Sequence, residues 1–596
     1  MRKLYFQNVS FWVCGLLMLG VASCKKGGFL GATSTTDLTQ TTVFKDSART
    51  AGFLANIYSN INYSASPTRF VYDPLGKAVI CGGLEAACDE SEPSHAFSTT
   101  ASAFATGTIN AGIVEDGPYK TCYYNIRSVN QFLKNLPVTP IKASNKALMI
   151  AEARFLRAWY YAILLKHYGG VPLVGDTLLT NETPINVKRS TYADCVNYIT
   201  SELDAAGAVL PVTQTGADYG RASRGACLAL KARVLLYAAS PLFNGTTLVA
   251  EAGGQADPSL VGYPMADANR WKLAKDAAAS VISLNAYSLN TVPPSGVDAS
   301  TPGAGFQGLF PQRVNTEYIF QFMRPGNSDL ENLFLPPTRN GANGAFPYQG
   351  MVDAFPMANG KLITDPTSGY DPNNPYANRD PRLNYTIIHD QSILLVRLGN
   401  GTVDGKGPVN IFIGSYNGSV TGQDAVHQGT LTGYYRNKML DPGATSSTLQ
   451  YNSSRVLPLI RYAEILLNYA EAANEFDGPT NEVYTFMNMI RQRAGLSPSA
   501  LPAGLSKDEM RKYIQNERRI ELAYEEHRFW DVRRWKIAAE TENVQTQGME
   551  VRRTNTTATF TKFNVTKHNF RPAMYLWPFP LSETGKSPTL VQNPGY

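Results

Sequence analysis

The chain has 596 residues, 43% hydrophobic and 17% charged, which is enough apolar side chain to offset the entropy of ordering and excludes a disordered polypeptide. The 49 glycines and 36 prolines are ordinary for this length, there are no long heptads, and both collagen-like and coiled-coil readings fail. Net charge is +6, or +4 once Arg2 and Lys3 are set aside, with no dense Lys/Arg block, which argues against nucleic acid as a partner.

The N-terminus reads as a leader. Met1-Arg2-Lys3 is a short positive segment, and Phe11 to Val21 is apolar but too short to span a bilayer. Val21-Ala22-Ser23-Cys24 then places small residues before a cysteine, the pattern of a bacterial lipobox. Residues 1–23 are therefore expected to be a lipoprotein signal peptide, with Cys24 acylated (a palmitate-type anchor) to hold the protein on a lipid bilayer. Residues 24–45, with Gly27, Gly28, Gly31 and a Ser/Thr-rich run, read as a tether.

Of seven cysteines, Cys14 leaves with the leader and Cys24 carries lipid. The remaining five are an odd number and make no disulfide framework. Cys81 and Cys88 flank a glycine-containing loop; pairing in an oxidising compartment and burial as small hydrophobes are both open.

Helical periodicity starts at Asp46, an expected N-cap, and opens an N-terminal helical region over 46–285. Helices are predicted at 118–136, 146–168, 191–208, 222–240 and 267–283. In 146–168, Leu148, Ala151, Phe155, Ala158, Ala162 and Leu165 form one stripe. Leu156, Trp159, Tyr160 and Ile163 widen it, so this helix is expected to be covered on more than one side until Gly169-Gly170 stops it. Between 286 and 455 the stripes disappear and Gly, Pro, Asn and Asp become frequent, with short β-rich pieces at 318–322 and 393–396. This irregular region is the expected ligand-binding part, because loops on a rigid scaffold carry contacts. Helices are predicted again at 458–476, 480–494 and 507–540, within a C-terminal unit 456–596 that ends in a Pro-rich, aromatic tail. The helices come in pairs of tetratricopeptide length, so the fold class is mainly α with a tetratricopeptide-like scaffold.

The search for chemistry points away from catalysis. Gly303-Ala304-Gly305-Phe306-Gln307-Gly308 matches G-x-G-x-x-G, but prolines precede it and no strand–helix context is predicted, so it is not read as a dinucleotide site. There is no P-loop, no G-x-S-x-G elbow and no H-E-x-x-H, and no two of the six histidines stand at metal-ligand spacing; neither metal nor cofactor is expected. Glu517, Glu521 and Glu525 share a helix face, and a glycoside hydrolase using Glu521 and Glu525 is the alternative reading. The arginines 518, 519, 528, 533 and 534 on the same stretch, with Arg461, Glu464 and Glu471 before it, favour an ion-pair network instead, since arginine lowers a carboxylate pKa where a general acid needs it raised. With the tryptophans on helices or in the tail, candidate ligand contacts are loop aromatics and acids: Phe70, Tyr72, Asp73, Asp89, Glu90, Phe97, Phe104, Phe306, Phe346, Tyr348 and Tyr370.

Several stretches resemble one family. Glu152-Ala153-Arg154-Phe155-Leu156-Arg157-Ala158 with Gly169-Gly170-Val171-Pro172-Leu173 is similar to the N-terminal signature of the SusD/RagB family. Arg461-Tyr462-Ala463-Glu464-Ile465-Leu466-Leu467, Ile490-Arg491-Gln492-Arg493-Ala494-Gly495-Leu496, Glu517-Arg518-Arg519-Ile520-Glu521-Leu522 and Asp531-Val532-Arg533-Arg534-Trp535 resemble its C-terminal half, and the ending Tyr575-Leu576-Trp577-Pro578-Phe579-Pro580 through Gln592-Asn593-Pro594-Gly595-Tyr596 its closing motif. The resemblance implies a cell-surface lipoprotein of the outer membrane, facing the exterior. It implies capture of oligosaccharide, or peptide in some members, and delivery to a SusC-like TonB-dependent β-barrel transporter, without catalysis. The absence of loop tryptophans departs from stacking-based starch binding.

Overall fold

The computed structural model describes residues 40–72, 79–94, 99–115, 117–179, 187–342, 344–397, 403–443 and 453–596. The leader, Cys24 and the tether to residue 39 lie outside them, as do Asp73 and Phe97.

The scaffold is a series of helices: α1 Ser47–Tyr58, α2 Gly117–Asn135, α3 Ala143–Tyr168, α4 Tyr192–Gly207, α5 Arg224–Ala239 and α6 Asn269–Ile282. From α2 onward each packs on the next, and α6 also packs on α9 (Tyr462–Asp477), after which come α10 (Asn481–Arg493) and α11 (Lys507–Glu521). The fold is thus mainly helical and tetratricopeptide-like. The chain leaves the helical stack after α6, forms short helices that include α7 (Ala304–Leu309) and α8 (Gln349–Ala354), and re-enters the stack at α9. Where it leaves and returns, strand Tyr318–Phe322 pairs antiparallel with Leu457–Arg461, closing the intervening segment onto the scaffold.

Local sequence explains the boundaries. Asp46 caps α1 by accepting from the Arg49 amide at 2.8 Å. Thr191 and Ser223 cap α4 and α5, and Ser506 with Glu509 forms a capping box on α11. α3 ends at Gly169, φ 75°, where a side chain would meet the Leu260 carbonyl. α3 is buried almost all round from Ala151 onward; Leu148, at its start, is 39% exposed and belongs to no core stripe. The charged residues of its motif clamp neighbouring helices: Arg157 and Arg154 hold Glu202 of α4 at 2.8 and 2.7 Å, and Glu152 accepts from Tyr58 of α1 at 2.7 Å. The C-terminal tail finishes the same helix. Asn593 donates to the Tyr168 carbonyl at 3.1 Å and the Trp577 amide to the His167 carbonyl at 2.7 Å, satisfying end groups that α3 cannot pair internally.

Three predicted elements are corrected. The first residues of 458–476 are the strand Leu457–Arg461, not helix, because Pro458 and the ladder to 318–322 extend them. The single helix 507–540 is broken into α11, α12 (Arg528–Arg534) and a one-turn helix Ala538–Thr541, with Tyr524, Glu526 and Lys536 in left-handed backbone conformations. A short helix, Ala304–Leu309, does follow the glycine motif, though no strand leads into it. A hairpin absent from the sequence reading, Gln545–Arg553 with Ala558–Lys567, joins Ile413–Tyr416 and Ser419–Val420 in a four-stranded sheet.

All five described cysteines are thiols without a disulfide, Cys81 and Cys88 included. Among the described residues no helix is long and apolar enough to cross a membrane.

Candidate ligand-binding cleft

Beneath the irregular region lies a buried charge network. Glu521, from the end of α11, accepts from Arg461 at 2.7 Å, from Arg382 at 2.8 Å and from Arg493. Glu525 is held by Arg461 at 2.6 Å and Lys438 at 2.7 Å; Glu317 by Arg461 at 2.7 Å and Arg493 at 2.9 Å. Arg382 also binds Asp380 and Glu517. The break after α11 is what lets Glu525 turn to Arg461 and Lys438 while Glu526 reaches Lys166 at 2.9 Å. Burial alone would raise the Glu521 pKa, but Arg493, Arg461, Arg382 and Lys438 outweigh it and hold the carboxyl at about 2. Glu525 is lowered in the same way, with burial opposed by Arg461 and Lys438. Neither group has a proton to give at neutral pH. The arginines that neutralise them come from other elements; those adjoining in sequence face elsewhere, Arg519 and Arg528 to Asp89, Arg533 to Glu542 and Arg534 to Glu471.

On this network rests a cleft of about 370 Å³, within the ordinary range for ligand sites. Phe306 and Phe310 form its floor, edge to face at 5.6 Å. Lys438 lies 5.1 Å below the Phe306 ring and the Arg493 guanidinium 5.3 Å from it, so cation–π contacts tie the floor to the charges beneath. The walls carry four carboxamides, Gln307, Asn384, Gln391 and Asn437, the half-exposed ring of Tyr385, and three charged residues, Arg339, the exposed Lys406 and the half-buried Asp441. Asn437 donates to the Asn384 carbonyl at 2.7 Å, and Gln391, at φ 66°, donates to Asn410 at 3.0 Å. His389 stacks on Tyr376 at 4.0 Å and contacts the Asn384 side chain at 2.9 Å. Burial lowers its pKa, with Arg379 adding and Asp390 opposing, to about 4, so the ring is neutral at physiological pH. Carboxamides donate and accept at once, and an indifferent ring face offers an apolar platform. Together they suit a ligand rich in hydroxyls, and Arg339 and Lys406 also admit an anionic substituent on it.

Of the sequence-derived candidates among the described residues, only Phe306 lines this cleft, and its ring is buried in the floor. Phe70, Phe104, Phe346 and Tyr348 are buried, which corrects their reading as open loop aromatics. Phe104 packs between Phe529 and Trp577 at 5.2 and 4.9 Å, and Phe346 sits in the strand Ala345–Pro347 against Tyr435. Tyr348 donates to Glu92 and lies 3.1 Å from His568. Asp89 is neutralised by Arg519 and Arg528, at 3.0 and 2.7 Å, rather than offered to a ligand. Glu90 is buried, and its pKa is pushed up to about 8 by burial first and then by Asp89. Tyr370 is half-buried under Arg379 at 5.5 Å. Tyr72 ends strand Phe70–Tyr72, opposite Val79. The wall residues 384–391 had no distinguishing sequence signal beyond the Asn/Gln content of a region already expected to bind.

The glycine motif has a packing role. A side-chain carbon at Gly305 would stand 2.6 Å from the Asn290 carbonyl, and one at Gly308 would overlap that of Val292. These glycines let segment 290–293 lie directly on helix Ala304–Leu309.

Comparison with known proteins agrees. The chain matches the SusD family model over residues 310–596 and a second model, described as starch-binding associating with outer membrane, over 82–236. SusD-like protein P2 of Formosa agariphila is 33% identical over 178 residues, 29% of this chain and 31% of that protein, so the alignment spans under a third of its length. A SusD-like protein of Bacteroides fragilis NCTC 9343 superposes with a TM-score of 0.72 at 27% identity, covering 93% of this chain and 98% of that one. A SusD-like carbohydrate-binding protein of the same strain superposes at 0.69 and 24% identity, covering 92% and 100%. The chain belongs to the SusD/RagB family.

Proposed function

We propose that this protein is a non-catalytic lipoprotein of the outer membrane that captures oligosaccharide in the 306–442 cleft and delivers it to a SusC-like TonB-dependent transporter. The observation that carries the reading is the cleft wall. It combines four carboxamides, a tyrosine ring and a neutral histidine with Arg339, Lys406 and Asp441, above a buried charge network. Family membership supports the binding role, and the leader pattern ending at Cys24 supports the anchor. The hydrolase alternative needed Glu521 or Glu525 as a proton donor. Both are ionised and saturated with cations, so the pair serves as structural ballast.

Isothermal titration against neutral oligosaccharides, acidic oligosaccharides and peptides tests the reading. Binding of at least one oligosaccharide, without release of shorter products, is expected. Binding of peptides alone would overturn it.

A further inference from the structure

A second, more open cleft of about 650 Å³ lies beside the first, bounded by segments 288–291 and 299–305 and by the C-terminal end of α10. The partition between the two is thin. Helix Ala304–Leu309 turns Phe306 and Gln307 to the first cleft and Gly303 to Gly305 to the second. Tyr385, a wall of the first, donates its hydroxyl to the carbonyl of Pro302, a wall of the second, at 3.0 Å. Its ring edge would stand 3.0 Å from a side-chain carbon at Gly303. One tyrosine ring therefore separates the two spaces.

The second cleft is uncharged in effect. Arg493 is its one charged lining residue, and it is buried and engaged with Glu317 and Glu521. What faces the space is Ser288, Thr291, Ser300, the exposed Gln492 and the exposed thioether of Met489, which is 38% accessible. These are hydroxyls, a carboxamide and an apolar platform, the groups that the first cleft combines with Arg339, Lys406 and Asp441.

We infer that the two clefts form one continuous site for a linear oligosaccharide, with a first set of subsites between Gln307 and Asn384 and a second over Met489 and Gln492, and Tyr385 as the ridge the chain crosses. This rests on the proposed capture role and adds the ligand's length and path to it. A chain held on both sides of the ridge gains contacts without a second association cost, so affinity rises with length.

The test is titration of the full mature protein with size-fractionated linear malto-, cello-, xylo- and laminari-oligosaccharides of two to ten units, compared with the Met489→Ala/Gln492→Ala variant. Both positions are exposed, so the variant is expected to fold. For the sugar class that binds, the longer members are expected to bind roughly tenfold tighter or more than the shortest that binds. The variant is expected to lose that gain while binding the shortest member as the parent does. An affinity that does not change with length, or a length gain untouched in the variant, overturns the two-cleft site and leaves capture in the first cleft standing. Binding of peptides from a casein digest with no oligosaccharide bound overturns both.

Discussion

Arg461 concentrates the energetic argument at single-residue scale, since one guanidinium serves Glu317, Glu521 and Glu525. Removing it leaves buried carboxylates short of a partner, and Arg461→Met is expected to destabilise by about 3–5 kcal/mol in chemical denaturation. Gln307 and Asn384 do the opposite kind of work at the cleft wall. Replacing either by alanine is expected to leave the melting temperature nearly unchanged and weaken oligosaccharide binding by roughly 2- to 10-fold each, the worth of one hydrogen bond. Glu90 gives a pH signature. Its Oε1 is buried without a hydrogen-bond partner, and Asp89 and Glu85 face it against Arg519 and Arg528. With the folded pKa raised to about 8 from an ordinary 4.5, the folded state binds more protons between those values. Its contribution is therefore fully present below pH 4.5 and lost as pH rises through 8. Glu90→Gln is expected to flatten the stability decline between pH 5 and 8; an unchanged slope in denaturation across that range would refute the assignment.

Among elements, helices were legible because 3.6-residue periodicity and caps are local signals. Asp46 and Gly169-Gly170 end their helices where expected, and α2 to α6 lie within two or three residues of the predicted spans. What failed was non-local. The run 507–540 keeps helical composition throughout, yet Tyr524 and Glu526 adopt left-handed backbone because Glu525 and Glu526 satisfy cations on distant segments. The aromatic candidates failed for a related reason. A Phe in a loop-like sequence reads the same whether its face is open or, like Phe104, packed on Trp577. The cleft wall was illegible because Asn384, Gln391 and Asn437 converge only through the fold. At the partition, Gly308→Ala is expected to cost about 1–3 kcal/mol or more in thermal unfolding, since the added methyl overlaps the Val292 carbonyl and forces segment 290–293 off the helix. Retained stability there would mean that this contact is looser than described.

Taken as a molecule, a helical stack interrupted between α6 and α9 presents an irregular region on a scaffold locked by buried ion pairs. The C-terminal tail seals α3 through Trp577 and Asn593, which explains why the closing motif and the Gly169-Gly170 stop belong together. The anchor is expected at Cys24: Cys24→Ala should lose palmitate labelling and leave the outer-membrane fraction, and a variant that stays attached would contradict it. Co-purification of a β-barrel transporter from solubilised membranes is the corresponding expectation for the partner. The most direct measurement is a crystal structure of the mature protein soaked with the oligosaccharide that titrates most tightly. An uncleaved chain is expected against Tyr385, hydrogen-bonded to Gln307 and Asn384. Sugar bound only elsewhere on the protein, or shortened products in this cleft, would contradict it.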